Sequence, residues 1–412
     1  MTKIEIPLDI PDIEIENIEI NKEGDIIITV RSTVKGTRCH KCGRGITKLH
    51  CHDREITLRH LSILGRKVYI RIRPARYQCT HCSGNPTTTQ KLQWYEPRSP
   101  HTIAYEEHVL RELVGSTVSD VCIKEDLGYE AVMGVIQRHI KTEVEWSEIE
   151  RLDVIGIDEI SLKKGHKDFV TVVTARTGGR IIILAVLNGR KKSPVKAFLA
   201  SIPKRLKKTI LAVCSDLYEG YINAAKEVFG ANVIIIVDRF HIAKLYRNGL
   251  DELRKKELKR LKKELSKEEY KKLKGAMWIL RKDIEGLTVE DLEVLKWLFK
   301  CSPILELAYK LCNELTDIFE GDYSKSAAQR KINRWKKRVI KSSLSCFNRF
   351  LSTLDKWMDG ITNYFINRQT SGFVEGFNNK IKVIKRRCYG ILNVKHLFQR
   401  IRLDLEGYSL FA

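Results

Sequence analysis

The chain contains no apolar run long enough to span a bilayer. Its first residues, MTKIEIPLDIPD, lack the basic-then-apolar form of a secretion signal. Together these absences set the expectation of a cytosolic protein without a membrane partner. Acidic side chains are in short supply: 51 Asp and Glu stand against 74 Lys and Arg, a formal charge of +23 at pH 7. That deficit favours a polyanionic partner, with a membrane surface as the weaker alternative. No internal repeat is convincing. Eleven cysteines without a secretion signal point to reduced thiols, with any paired CxxC serving as metal ligands. The 412 residues leave room for two or three domains and a sizeable core.

The stretch from Leu152 to His241 carries the strongest pattern. Runs at Val154 to Ile157, Phe169 to Thr174, Arg180 to Leu187, Thr209 to Cys214 and Val233 to Val237 predict five strands. Thr177-Gly178-Gly179 predicts a hairpin turn between the second and third. Helices are predicted over Pro194 to Ser201, with Ser193 as cap, and over Tyr218 to Phe229. The first three strands then form an antiparallel meander, while the fourth and fifth enter through helical crossovers, parallel to the first. This is the succession of a ribonuclease-H-like α/β fold, a mixed five-stranded sheet with spatial order 3-2-1-4-5.

Three of these strands stop on a carboxylate: Asp158, Asp216 and Asp238. For any one of them alone, a turn residue or helix cap is the better reading. In the expected sheet, however, Asp158 and Asp216 occupy neighbouring strand ends. Two bare carboxylates that close repel, and one protonates unless a divalent cation joins them. Asp238 competes for the second position. Asp216 is preferred because the fourth strand adjoins the first, which leaves Asp238 and His241 as a supporting pair. Glu159 is expected to face the other side of the sheet.

In chain order, Ile13 to Val34 predicts a hairpin turning at Asn21 to Asp25. Two CxxC knuckles follow, Cys39/Cys42 and Cys79/Cys82, separated by thirty-six residues. Four thiolates complete a closed tetrahedral site for a structural Zn²⁺; substitution by His40, His81, Cys51 or His52 would demand odd geometry. Between the knuckles, Arg66 to Arg73 alternates basic and apolar residues, predicting a strand with one basic face. Asn85 to Pro100 reads as a linker. Ile103 to Leu113, Ser119 to Asp126 and Tyr129 to Ile140 predict three short helices, the last two spaced as a helix-turn-helix. Gln137, Arg138 and Lys141 are its candidate phosphate or base contacts.

Beyond Asp238 the composition changes. Leu250 to Lys274 is rich in Lys and Glu at helical spacing, and helical patterns run on through Trp278, Trp297, Trp335 and Trp357. Core packing is the preferred reading of these tryptophans. Near the end, Glu375, Asn378, Asn379 and Lys382 recur on one helical face, followed by Lys385, Arg386 and Arg387.

The paired CxxC with HDREITLRHLSILGRKVYIRIRPARYQCTHC, then VIGIDEIS, SDLYEGY, VDRFHIAK and TSGFVEGFNNKIKVIKRRCYG, resemble the ISL3 family of insertion-sequence transposases, of the DDE type. The resemblance covers nearly the whole length. It implies a ribonuclease-H-like catalytic core with a large helical insertion before the last acid. It also implies binding to double-stranded DNA, both terminal inverted repeats and target, by a homo-oligomer on DNA in a bacterial or archaeal cytoplasm, associated with the nucleoid. The implied catalytic triad is Asp158, Asp216 and Glu375. One position departs from the family pattern, Gly372, where an Asn is expected. Three carboxylates supply hard oxygen ligands suited to Mg²⁺ or Mn²⁺. Arg66, Arg71, Arg73, Gln137, Arg138, Lys141, Asn378, Asn379, Lys382, Lys385, Arg386 and Arg387 are the candidate DNA contacts.

The expected domains are a β hairpin and zinc module (1–84), the linker (85–100) and a helix-turn-helix (101–148). After them come the first part of the core (149–245), the helical insertion (246–369) and C-terminal core helices carrying Glu375 (370–412). Two rival functions share these features: a nuclease or resolvase that cuts without joining, and a DNA-binding regulator with a dead catalytic domain. The recognition modules disfavour the first, and the intact acids disfavour the second.

Overall fold

The structure is a computed structural model describing residues 6–163, 167–230, 233–282, 284–366, 372–388 and 391–411; the side chains of Lys167, Ile284 and residues 372–375 lie outside the description. The chain divides into two units, Met1–Lys141 with Gln399–Ala412, and Thr142–Phe398. Among the described residues no helix is long and apolar enough to cross a membrane.

The first unit begins with a four-stranded sheet in the order Ile13–Ile20, Ile26–Ser32, Arg66–Ile72, Ile56–Ile63. The Asn21 side chain accepts from the backbone N–H of Glu23 and Asp25, at 3.0 and 2.8 Å, and so closes the first hairpin. Period-two alternation drives Val68, Ile70 and Ile72 into the core with Ile28, Val30 and Leu58. Leu92 and Trp94 complete that core, and Thr87–Thr89 pairs with Ala75–Gln78. The stretch from Asn85 to Pro100 is therefore packed structure rather than a tether. Isolated apolar residues in a polar segment carry no periodicity, which is why composition misreads it.

Three helices follow, Ile103–Leu113, Val118–Glu125 and Tyr129–His139. Thr117 and Asp120 form a capping box at the start of the second, and Asp126 closes it in a left-handed conformation. Leu403 joins Leu110, Leu113, Val121, Val132 and Ile136 in their core. It comes from the helix Val394–Phe411, whose Gln399 donates to the Ile140 carbonyl at 2.9 Å. Residues from Gln399 onward thus belong with the first unit, not with the α/β unit as expected for residues 370–412.

The second unit is mixed α/β. Its sheet comprises β1 (Val154–Lys163), β2 (Lys167–Thr177), β3 (Arg180–Asn188), β4 (Ala212–Ser215) and β5 (Ile234–Val237), in the order β3-β2-β1-β4-β5. β1, β2 and β3 are antiparallel, while β4 pairs parallel to β1 and β5 parallel to β4. Gly178 and Gly179, with φ of +52° and +81°, form the tight turn between β2 and β3. On one face, Ile155, Ile157, Val213 and Ile235 meet Val195 and Leu199 of helix Lys192–Ser201, and Tyr221, Ile222 and Ala225 of helix Glu219–Phe229. On the other, Val154, Ala212, Cys214 and Ile236 cluster together. Burial on both faces explains why these strands read as continuous apolar runs. The helix expected from Pro194 starts at Lys192 and has no side-chain cap, so Ser193 does not serve as one.

From Arg239 the chain is helical through Thr362, around Tyr246, Leu315, Trp335, Phe347 and Phe350. Trp335 is fully buried and donates to the Leu311 carbonyl at 2.7 Å, while Trp297 and Trp357 pack at the edge of the core. Trp278 departs from the expected core role: it is 63% exposed, with Arg281 over its ring.

Glu106 is the most buried acid among the described residues of the first unit, at 0% exposure. Burial alone would raise its pKa, but hydrogen bonds from His101, His139, Arg138 and Ser99 outweigh it and hold the carboxyl well below its usual range. The network ties helix Ile103–Leu113 to helix Tyr129–His139. Removing one partner of a buried pair leaves the others uncompensated, so Glu106→Gln should destabilise the first unit by about 3–5 kcal/mol in urea unfolding. A loss under about 1 kcal/mol would mean that the network is dispensable.

Candidate functional site

Strand pairing places the three aspartates in one row. Ile157 is registered opposite Ser215, and Ser215 opposite Val237, so Asp158, Asp216 and Asp238 each follow that row on three adjacent strands. Alternation puts all three on the face of Val154, Cys214 and Ile236. Glu159 turns to the opposite face, where Arg190 lies 3.7 Å away.

Each carboxylate is tied to its own backbone through one oxygen. The N–H groups of Glu159, Tyr218 and Phe240 donate to Asp158, Asp216 and Asp238 at 2.7, 3.0 and 2.7 Å. Asp238 thereby caps the helix Arg239–Glu264, as the plain reading of an Asp after a strand anticipates. Its other oxygen meets His241 Nδ1 at 3.1 Å. The other oxygen of Asp158 accepts from the amide of Asn378.

Burial, reinforced by charge crowding, shapes the titration of the row. Burial pushes the Asp158 carboxyl up to about 6; the His241 charge opposes this, and the Asp216 and Asp238 charges reinforce it. Asp216 is also raised, again chiefly by burial. His241 is raised by its hydrogen bond to Asp238, with further help from Asp158 and Asp216. These are hard oxygen donors in a half-buried place with excess negative charge, a donor set that fits Mg²⁺ or Mn²⁺. Their ligand atoms do not all close to 4.8 Å; among the described residues only the four cysteines below do so as a group.

Helix Gly372–Arg387 lies along β1. Phe377, Ile381 and Ile384 are its buried face, and Lys385 donates to the Ser161 carbonyl at 2.6 Å. Glu375 lies on this helix three residues before Asn378, and its side chain lies outside the described residues. Asn378 is 3% exposed and holds Asp158, so it is a partner of the acid row rather than an outward DNA contact. The helical spacing from Glu375 to Asn378 was the signal for this. Asn379, Lys382 and Arg386 are exposed, and Arg387 is half-buried.

In the first unit, Cys39, Cys42, Cys79 and Cys82 bring their sulfurs within 4.8 Å of one another. A tetrahedral ZnS₄ site, with bonds of about 2.3 Å, requires sulfurs about 3.8 Å apart, and Cys42 and Cys79 are 3.8 Å apart. Backbone N–H groups of Cys42 and Lys41 and the neighbouring thiols lower Cys39 to about 6, whereas sharing with Cys42 first, then burial, raises Cys82 to about 12. A single thiolate among four sulfurs makes the others harder to ionise, a conflict that a dication relieves. His40 is engaged with Thr88 at 2.9 Å, while Cys51 and His52 are exposed on strand Leu49–His52; none of them joins the group.

The basic face expected along Arg66 to Arg73 is an alternating-charge surface instead. Arg71 pairs with Glu19 and Glu55 at 3.2 and 3.5 Å, Arg73 pairs with Glu55 at 3.2 Å, and Arg66 donates to the Gly24 carbonyl. Its acids come from distant strands, so a local reading of the basic residues does not find them. Arg138 faces Glu106, while Gln137 and Lys141 are exposed.

Two measurements check this geometry. Purified under reducing conditions, the protein should carry one zinc, and Cys39→Ser or Cys82→Ser should unfold the cysteine module while leaving the α/β unit folded; zinc-free wild type with an intact module would refute the assignment. For Asp158, a folded pKa raised from 3.8 to about 6 gives stability that is full below the lower value and lost as pH rises through the upper. In metal-free protein the stability of wild type relative to Asp158→Asn should therefore fall by up to ~3 kcal/mol across that window. A flat difference would mean that the carboxyl is not held in the buried, acid-lined place described here.

Among known proteins, the chain matches the transposase family of the ISL3 group over residues 155–401. It is 26% identical over 385 residues to the transposase for insertion sequence element IS1001 of Bordetella parapertussis, covering 92% of this chain and 91% of that one. To the transposase for IS1557 of Mycobacterium tuberculosis it is 24% identical over 422 residues, covering 97% and 93%. A solved Drosophila P element transposase strand transfer complex aligns with 66% of this chain and 80% of that one at 12% identity and a TM-score of 0.35, too low to carry an argument. With the family match spanning more than half of its length, the chain belongs to the ISL3 transposase family.

Proposed function

We propose that this protein binds the terminal inverted repeats of its own insertion sequence, cuts the DNA there and joins the freed 3′ ends to target DNA, on a ribonuclease-H-like core. The observation that carries the reading is the row of Asp158, Asp216 and Asp238 on three adjacent strands, with Asn378 delivered to it from the helix that bears Glu375; β4 and β5 end at their aspartates, whereas β1 runs on past Asp158 to Lys163 instead of stopping there. Asp158, Asp216 and Glu375 would hold the divalent cations. Bound there, Mg²⁺ or Mn²⁺ supplies activation of a water or 3′-hydroxyl and neutralisation of the leaving oxygen.

The protein's own groups have distinct tasks. Asn378 fixes the orientation of Asp158 by occupying one of its oxygens. Asp238 caps its helix and keeps His241 in place, so that an imidazole with raised proton affinity stands beside the acid row. Exposed Asn379, Lys382 and Arg386 lie on the same helix as Asn378 and are suited to the phosphate backbone. The helix trio and the cysteine module supply recognition of the ends, which a nuclease that cuts without joining has no need of. Handling two element ends together suits a homo-oligomer on DNA.

The test is metal-dependent cleavage of duplexes carrying the element ends. Asp158→Asn, Asp216→Asn and Glu375→Gln should each abolish cleavage while leaving end binding intact, because size is kept and only charge is removed. Asp238→Asn should be milder, about 10–100-fold, as expected for a group acting through a neighbour. A dead Asp238→Asn beside an active Asp216→Asn would move the site to β5.

A further inference from the structure

Helix Lys325–Lys341, KSAAQRKINRWKKRVIK, contains eight Lys and Arg and no acid in 17 residues. Its inner face is Ala328, Ile332, Trp335 and Val339, all buried in the core of the helical region. Arg330, Arg334, Lys337 and Lys341 repeat the same spacing shifted by two residues, which places them about 200° around the helix, on the face opposite the anchor. All four are exposed.

The cations on the flanks of this helix have acids from neighbouring helices. Lys325 pairs with Asp359, Lys336 with Asp355, and Arg338 with Glu314 at 2.5 Å. Lys331 sits over the Tyr323 ring. Among the described residues no acid serves Arg330, Arg334, Lys337 or Lys341. Helix Arg239–Glu264 makes the contrast: it is also rich in Lys and Arg, yet it interleaves acids that pair with Arg254, Lys255 and Arg260. Like charges three and four residues apart on a helix repel. A face that combines such repulsion with a rigid anchor is pre-formed for an external anion.

We infer that Arg330, Arg334, Lys337 and Lys341 form a docking stripe for the phosphate backbone of duplex DNA, independent of base sequence. The inference rests on the reading of this protein as an enzyme acting on DNA. Eleven residues of helix span about 16–17 Å, the length of about five phosphates along one strand at about 3.4 Å each. Four fixed cations over that distance match a regularly spaced polyanion better than they match a folded acidic partner.

The experiment measures affinity of the full-length protein, without added divalent cation, for a random-sequence duplex and for an element-end duplex over a range of salt. The quadruple variant R330Q/R334Q/K337Q/K341Q is compared with a control that removes the same charge elsewhere, K256Q/K259Q/K262Q/K263Q. Glutamine is a good helix former and relieves the repulsion, so the stripe variant should fold; circular dichroism verifies this, and the single Arg334→Gln serves as a second, milder probe. Each lost phosphate contact lowers the slope of log affinity against log salt by about 0.9, so the stripe variant should lose about 3–4 on both duplexes, and Arg334→Gln about 0.9. The control should lose less than half as much as the quadruple. An unchanged slope in the stripe variant, an equal loss in the control, or a loss of self-association in place of DNA affinity overturns the inference and leaves the proposed function standing. Wild type that binds no duplex at all overturns the proposed function as well.

Discussion

The parallel pairing of β1, β4 and β5 is the constraint on which the rest of the α/β unit depends. Their register fixes Ile157, Ser215 and Val237 side by side, and so commits the next residue of each strand to a common row. Because the two buried faces pack against different partners, a strand that slid by one residue to separate the acids would exchange its two fitted apolar sets. The crowding of Asp158, Asp216 and Asp238 is therefore a consequence of how the strands pack. The local answers to that repulsion are small and specific: a backbone N–H for each carboxylate, Asn378 for Asp158, and His241 for Asp238.

Positive charge is abundant in this chain, but availability differs from count. Arg71, Arg73 and Arg138 face glutamates within the first unit, so they add to the formal charge while offering little to a partner. Helix Lys325–Lys341 is the reverse case, with its acid-free sequence divided between an anchored face, flanks neutralised by neighbouring helices, and an outer face left to solvent. A formal +23 describes a preference for polyanions; only the distribution of acids around each cation says where such a partner can sit.

The cysteine module illustrates a different economy. Its own buried set is Cys39, Ile46, Ala75, Tyr77 and Cys79, too few apolar groups to hold two knuckles and five short strands by burial alone. A cross-link through metal would substitute for core, and Cys42 and Cys79 stand 3.8 Å apart, the spacing such a link requires.

By itself the sequence determined what depends on local periodicity and turn chemistry. The five strands of the α/β unit, the Gly178-Gly179 turn, the three helices from Ile103 to His139 and the pairing of the two CxxC knuckles were all legible, with ends displaced by up to three residues except in β1, which runs six residues beyond Ile157. Each of these is dictated by residues near one another in the chain. Tertiary structure alone decided what depends on partners far away in sequence: that Asn85 to Pro100 packs through Leu92 and Trp94, that the end of the chain returns to the helix trio through Leu403, and that Arg71 and Arg73 meet Glu19 and Glu55. It likewise decided that Asn378 reaches Asp158 across 220 residues of chain. A side chain's neighbours across such distances are set by how whole faces bury, and the residues flanking it in sequence carry no record of them.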